Sequence, residues 1–311
     1  MLRIALVIAT LAAAGYTGRL AIYMFDESRT SYSVLDRDFF RNHSCLSSYT
    51  EAARLAPTGA NIFDPAVYSE VASDGGRGTR HIGSFEVDLY QYPPPFLVLP
   101  ALAERLGLGF LAVRTLWFLI LMTILVGSLV LTASWIGGTR GAIAAMFIPM
   151  MFLAPTTRVA LQSGNFQVTA FPLAMLAMIA FFKFRPASAG TALGGIALGF
   201  CAVSKIYPGV LGIVLLVQRR WTAVAATVAS GAVITAVALG AVGTKPFLDF
   251  RDSQSRILCL RPTVDGGCGH RRAAAAAADR RVRGRIADQA ASRPTVAWSL
   301  ESRVLPQPLR A

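Results

Sequence analysis

Residues 115–136 read TLWFLILMTILVGSLVLTASWI, and they contain no charged side chain. At about 1.5 Å per residue, a helix of this length crosses the hydrocarbon core of a bilayer, which is about 30 Å thick. Arg114 directly precedes the segment and marks its predicted boundary. The segment therefore predicts a transmembrane helix, and it decides the fold class of the chain.

The composition of the whole chain supports this interpretation. The 311 residues are 54% hydrophobic and 15% charged, with a mean hydropathy of +0.52, whereas a soluble domain carries about 25% charged residues. Ten of the 17 carboxylates lie between Asp26 and Asp88, and none lies from Arg105 through Leu248. Each ionised group at the centre of a bilayer costs about 3 kcal/mol, so a long stretch without carboxylates is expected of membrane helices.

Other apolar segments complete the predicted architecture. Residues 2–24 predict a first span, although a cleaved signal peptide is the alternative because residues 12–15 are small. The remaining predictions are an interfacial or re-entrant helix at 96–106, spans at 142–154, 166–182 and 221–242, and two half-length helices at 191–217 that meet at Lys205. The chain is thus predicted to be an all-α, polytopic integral membrane protein with about six to seven hydrophobic helices.

A large polar loop follows the first span. With the N-terminus inside, residues 26–91 are expected outside, and they include a predicted helix at about 39–55. Between Arg114 and Lys245, leaving out Lys205, five basic residues then fall inside and three outside, so the positive-inside rule supports this orientation only weakly.

The C-terminal residues have a different character. Residues 251–311 contain 12 arginines, no lysine and a run of six alanines. We therefore divide the chain into a membrane module at 1–252 and a tail at 253–311, which is either disordered or translated out of frame from near Ser253. Because much of the net charge of +13 lies in this tail and beside spans, it does not predict nucleic-acid binding.

Metal-binding patterns are absent from the sequence. The four cysteines lack metal-ligand spacing and the three histidines are scattered, so we predict no zinc site. Asp36 and Asp38 stand shortly after the first span, where a carboxylate could act as a general base or bind a divalent cation. The alternative is that they lie in a solvated loop or cap a helix.

Tyrosines and prolines precede the re-entrant segment in the stretch YQYPPP at residues 90–95. Prolines fix an extended backbone, and tyrosines such as Tyr92 favour the headgroup zone of a membrane. The stretch predicts a rigid return of the chain to the membrane, and it could line a cleft for a lipid headgroup.

Polar side chains also lie between two short predicted spans. Gln162, Asn165 and Gln167 could hydrogen-bond a sugar or a phosphate there, although a polar turn that satisfies exposed backbone is the alternative. Arg158 stands close by, and it could pair with a phosphate or extend to the membrane interface.

Lys205 is the strongest single candidate. It is the only charged residue between Arg185 and Gln218, and an ionisable residue at membrane depth is a functional hypothesis by default. Tyr207 and Pro208 follow it at the predicted helix break, where the lysine could face a water-filled cavity and hold a lipid phosphate. The alternative is a lysine that extends to the membrane surface.

Taken in order, these features resemble the GT-C superfamily of polyprenyl-phosphate-dependent glycosyltransferases, and most closely glycosyltransferase family 87. That family includes bacterial mannosyl- and arabinofuranosyltransferases. The matching pieces are Asp38-Phe39, the segment 49–65, Tyr92-Pro93-Pro94-Pro95, the cluster at 162–167 and Lys205-Ile206-Tyr207-Pro208.

The resemblance implies transfer of a sugar, with inversion, from a polyprenyl-phosphate donor to a glycan or glycolipid at the outer face of a bacterial cytoplasmic membrane. Asp38 or Asp36 would be the base, and Arg158 and Lys205 would offset the charge of the departing phosphate. The remaining candidates would bind substrate: Gln162, Asn165, Gln167, Tyr92 and Tyr207. The resemblance implies no cofactor, although the two aspartates leave room for a divalent cation, and it implies no nucleic-acid partner.

The chain departs from the family pattern at two places. Residues 41–44 replace the expected aromatic and small residues after the aspartates, so the base could be either one. Members of the family also continue with more spans, where this chain has its arginine-rich tail. A transporter or flippase with broken helices and an inactive, truncated fragment therefore stay as alternatives.

Overall fold

The computed structural model describes residues 2–26, 43–71, 77–205 and 207–260. The candidate bases Asp36 and Asp38 lie outside these ranges, as does the tail after Leu260. Residues 1–254 form one compact unit, and residues 255–311 form a second.

Helices account for most of the described chain. In chain order they are α1 (Leu2–Phe25), α2 (Cys45–Leu55), α3 (Val98–Arg105), α4 (Phe110–Ile136), α5 (Gly138–Met146), α6 (Ile148–Leu153), α7 (Pro155–Ser163), α8 (Gln167–Lys183), α9 (Ala187–Ser204), α10 (Leu211–Val217), α11 (Trp221–Val242) and α12 (Lys245–Leu260). Short 3₁₀ turns lie at Ala56–Thr58, Pro65–Tyr68, Pro94–Leu97 and Tyr207–Val210.

Four of the described helices are long and apolar enough to cross a membrane, namely α1, α4, α9 and α11. The segments Gly138–Leu153 and Pro155–Ser163 meet at 63° and form a broken span or a re-entrant loop. Large aliphatic side chains cover the outer faces of the long helices; Leu11, for example, is 68% exposed and Val228 66% exposed. This arrangement suits helices surrounded by lipid, and it confirms the all-α, polytopic membrane fold.

Glycines bring α9 close to its neighbours on both sides. A Cβ atom at Gly194 would lie 2.7 Å from the ring of Phe181 on α8, and one at Gly199 would lie 2.8 Å from the carbonyl oxygen of Thr227 on α11. Gly190 and Gly194 face α8, and Gly195 and Gly199 face α11. Small residues spaced four apart in this way allow helix backbones to approach closely, because lipid provides little hydrophobic driving force between helices.

The described residues between α1 and α4 include five short strands, which the sequence pattern does not predict. They are β1 (His43–Ser44), β2 (Ser69–Val71), β3 (Arg77–Thr79), β4 (His81–Ile82) and β5 (Phe85–Val87). β1 pairs in parallel with β5, and β4 pairs antiparallel with β5. Strands of two or three residues carry too little alternating pattern to be read from a sequence.

Some boundaries differ from the sequence prediction. Arg114 lies inside α4, where it is 1% exposed and donates hydrogen bonds to the carbonyl oxygens of Tyr23 and Met24. The guanidinium group therefore caps the C-terminal end of α1, where unpaired carbonyl groups favour a cation. α9 is also a full-length helix, not a half-length one, and only the segment after Lys205 is short.

Candidate functional site

A polar cleft of about 440 Å³ opens where the strands meet the ends of the membrane helices. Its lining consists of His43, Cys45, Ser48, Tyr49, Asp88, Leu89, Gln91, Tyr92, Asn165, Gln167 and Lys205. Four of the residues selected from the sequence thus lie in one cleft: Tyr92, Asn165, Gln167 and Lys205.

Tyr92 and Asn165 join two walls of this cleft. The Tyr92 hydroxyl donates to Oδ1 of Asn165 at 3.0 Å, and the same oxygen accepts a hydrogen bond from the backbone N–H of Gln167 at 2.9 Å. Asn165 thereby satisfies the backbone N–H of the first residue of α8 while it holds the tyrosine. Burial raises the pKa of Tyr92, so its hydroxyl remains protonated and can donate at physiological pH.

Other aromatic rings pack against the ring of Tyr92. Its ring stacks on Phe96 with centroids 4.7 Å apart and meets the edge of Tyr49 at 5.1 Å. Trp117 of α4 extends this cluster and donates from its indole nitrogen to the carbonyl oxygen of Gly164 at 2.8 Å. Large rings in edge and stacked contacts form a rigid cluster, which keeps the neighbouring polar atoms of the cleft in fixed positions.

Lys205 lies at the end of α9, where the helix breaks. Its backbone is extended, with φ −146° and ψ 110°, and its N–H closes the helix on the carbonyl oxygen of Cys201. The Nζ atom lies 4.2 Å from the centroid of the Tyr92 ring, a cation–π distance. Among the described residues no carboxylate forms a salt bridge with Lys205, so its charge is available to an anion in the cleft.

A second charged group faces the same cleft. Nδ1 of His43 lies 3.1 Å from Oδ2 of Asp88, and the hydrogen bond between them raises the pKa of His43 to about 10. Nε2 of the same ring lies 3.8 Å from Sγ of Cys45. The parallel pairing of His43 with Glu86 and of Ser44 with Val87 sets this arrangement, because Asp88 directly follows β5.

The other candidates lie away from the lining of the cleft. Arg158 is 8% exposed on α7, where its guanidinium group lies 4.6 Å from the ring centroid of Tyr16 on α1. Gln162 is buried one turn further along α7. Tyr207 stands beside the cleft and donates to the backbone carbonyl of Gln167 at 3.4 Å.

The sequence pattern does not single out His43, Cys45, Asp88 or Tyr49 as site residues. His43 and Asp88 come together only through the parallel pairing of two very short strands. No local spacing in the sequence signals that pairing, so the charged wall of the cleft could not be found from the sequence.

Comparison with known proteins identifies the family. The family model of glycosyltransferase family 87 matches residues 90–296, a range that begins at the aromatic segment, includes Asn165, Gln167 and Lys205, and continues past Asp252. No curated protein and no solved structure matches the chain significantly. Because the family model covers more than half of the chain, this multi-pass membrane protein belongs to glycosyltransferase family 87.

Proposed function

We propose that the protein transfers a sugar, mannose or arabinofuranose, from a polyprenyl-phosphate donor to a glycan or glycolipid of the cell envelope. The main support for this proposal is the cleft in which Lys205, Tyr92 and Asn165 lie together at the ends of membrane helices. A lipid-linked donor brings its phosphate to that depth, where a cation and neutral hydrogen-bond donors can receive it.

Lys205 would hold the phosphate and offset the charge that develops when the glycosidic bond breaks. Asn165, Gln167 and Tyr92 would orient the sugar through hydrogen bonds. Arg158 and Gln162 belong to the adjacent helix α7, and we propose that Arg158 receives the phosphate after it leaves the cleft. The guanidinium group is buried, and its Nε and Nη1 atoms have no hydrogen-bond partner among the described residues.

Deprotonation of the acceptor hydroxyl requires a base, and Asp38 or Asp36 would supply it. The hydroxyl oxygen then attacks the anomeric carbon, the bond to the phosphate oxygen breaks, and the configuration inverts. We further propose that the N-terminus lies inside and the loop 26–91 outside, which places the reaction at the outer face of the cytoplasmic membrane.

Sugar transfer in isolated membranes tests this proposal. Radiolabelled polyprenyl-phosphate mannose and polyprenyl-phosphate arabinofuranose are offered to the native chain and to its Asp38→Asn, Asp36→Asn and Asp64→Asn variants. Asp64 is an exposed matched control that caps a turn outside the cleft. Loss of transfer in only one of the variants Asp38→Asn and Asp36→Asn identifies that aspartate as the base. Native transfer rates in both variants would contradict the proposal that either aspartate is the base.

A further inference from the structure

His43, Cys45 and Asp88 form the part of the cleft that the proposed transfer reaction does not use. Each side chain is partly buried, and one potential ligand atom from each lies within 4.8 Å of the other two. Imidazole nitrogen, thiolate sulfur and carboxylate oxygen are the ligand atoms that zinc takes from proteins. We propose that these three residues bind one divalent transition-metal ion of the zinc class.

The distance between two of the ligand atoms already suits an ion. Sγ of Cys45 lies 3.8 Å from Nε2 of His43. With zinc bonds of about 2.3 Å to sulfur and about 2.0 Å to nitrogen, two ligand atoms at a tetrahedral angle lie about 3.6 Å apart. The nearest Asp88 oxygen lies 3.1 Å from Nδ1, the ring nitrogen on the other side of the imidazole, so the Asp88 side chain must leave that nitrogen and turn toward the ion to become the third ligand.

The backbone around the three residues is well fixed. His43 belongs to β1, Cys45 is the first residue of α2, and Asp88 directly follows β5. The Ser47 hydroxyl donates to the carbonyl oxygen of Glu86 at 2.7 Å, and it thereby ties the start of α2 to β5. Because paired strands and a helix start hold these backbone positions, only side chains need to move when an ion binds.

The mixed ligand set selects the class of metal. Magnesium and calcium prefer oxygen ligands alone, whereas a thiolate together with an imidazole favours zinc and its neighbours in the first transition row. Three protein ligands leave one coordination position open, and that position faces the cleft because all three residues line it. If the proposed function holds, a substrate oxygen can occupy this position; metal binding itself does not depend on that function.

Cobalt(II) is the probe for the test, because its thiolate complexes have a charge-transfer absorption band. The full chain is purified in detergent, stripped of metal with a chelator and titrated with cobalt. A background with Cys201, Cys259 and Cys268 changed to serine leaves Cys45 as the only thiol. We expect a thiolate band that saturates at about one cobalt per chain and is displaced by zinc.

Matched variants assign the ligands. Cys45→Ser in the native background should lose the band, and His43→Gln and Asp88→Asn should each weaken cobalt binding by at least about 10- to 100-fold, the loss typical of even an outer-shell partner of a metal ligand. His81→Gln changes an exposed histidine of the same sheet and should bind cobalt like the native chain. Absence of the band in the chain with Cys45 alone, or its survival in Cys45→Ser, would overturn the proposal.

Thermal unfolding provides a second readout that needs no thiolate band. Zinc should raise the melting temperature of the native chain and of His81→Gln, because a ligand that binds only the folded state stabilises it. At the same zinc concentration it should raise that of Asp88→Asn by less. An equal rise in Asp88→Asn would contradict the site, and neither readout requires sugar transfer, so failure of the proposed function would leave them unchanged.

Discussion

The hydroxyl group of Tyr92 donates a hydrogen bond of 3.0 Å to Oδ1 of Asn165, a residue 73 positions away in the sequence. Tyr92 stands before the short helix α3, and Asn165 stands before the apolar helix α8. The bond therefore connects the polar region of the chain to its membrane helices. Lys205 lies over the same tyrosine ring, so this connection also fixes the surroundings of the cation.

Tyr92→Phe should keep the aromatic packing and lose the hydroxyl. One neutral hydrogen bond contributes about 0.5–1.5 kcal/mol, so we expect transfer efficiency, kcat/KM for the donor, to fall about 2- to 12-fold. Steady-state sugar transfer measures this change. Tyr90→Phe is the matched control, because its hydroxyl donates to the carbonyl oxygen of Pro93 and does not line the cleft. An equal loss in both variants would contradict a specific role for Tyr92.

Asn165→Asp should keep the hydrogen bonds from Tyr92 and from the N–H of Gln167 while it adds a negative charge to the cleft. The charge would repel the donor phosphate, so we expect KM for the donor to rise about tenfold, equivalent to about 1.4 kcal/mol. Asn61→Asp is the control, because its Oδ1 accepts a similar backbone hydrogen bond from Phe63 outside the cleft. An unchanged KM in Asn165→Asp would argue against a bound phosphate near this residue.

Gly199→Val should destabilise the contact between α9 and α11. A Cβ atom at this position would lie 2.8 Å from the carbonyl oxygen of Thr227 and 2.9 Å from the backbone nitrogen of Gly231, so the helices must separate. Overpacking of this kind costs about 1–3 kcal/mol. Thermal unfolding in detergent should show a lower melting temperature than for Gly240→Val, where no atom lies within 4 Å of the new Cβ. Equal melting temperatures would contradict the close packing.

Arg114→Met should weaken the junction between α1 and α4. The guanidinium group donates to the carbonyl oxygens of Tyr23 and Met24, and charge-assisted hydrogen bonds contribute about 1.5–3 kcal/mol each. We expect a clear fall in melting temperature, compared with no change for the exposed control Arg140→Met. A native melting temperature in Arg114→Met would mean that the buried cation is not needed to cap α1.

Much of the membrane fold could be predicted from the sequence, because long charge-free segments have few alternatives in a bilayer. The span at 221–242 agrees with α11 to the residue, and the break at Lys205 is present between α9 and α10. The predicted helix at 39–55 corresponds to α2 over Cys45–Leu55, whereas His43 and Ser44 form the strand β1 and residues 39–42 lie outside the described chain. The all-α class and the family resemblance are both confirmed.

The site could be predicted only in part. Tyr92, Asn165, Gln167 and Lys205 were visible because each is a polar residue in or beside an apolar segment, where such residues are costly. His43 and Asp88 stand in a polar region in which charges are ordinary, and only long-range strand pairing brings them together. The sequence predicts Arg114 as a boundary residue, whereas in the structure it bonds backbone carbonyl groups of another helix, a contact that no sequence pattern shows.

The most direct test of the account is donor-dependent sugar transfer by the purified protein in lipid nanodiscs, comparing the native chain with Lys205→Met and Lys183→Met. Lys183 is an exposed lysine at the end of α8, away from the cleft. We predict transfer by the native chain and by Lys183→Met, with kcat/KM lower by about 100- to 1,000-fold in Lys205→Met, since removing a group that stabilises transition-state charge costs about 2.7–4 kcal/mol. Native rates in Lys205→Met would contradict the proposed role of Lys205. No transfer by the native chain from either polyprenyl-phosphate donor would contradict the proposed sugar transfer.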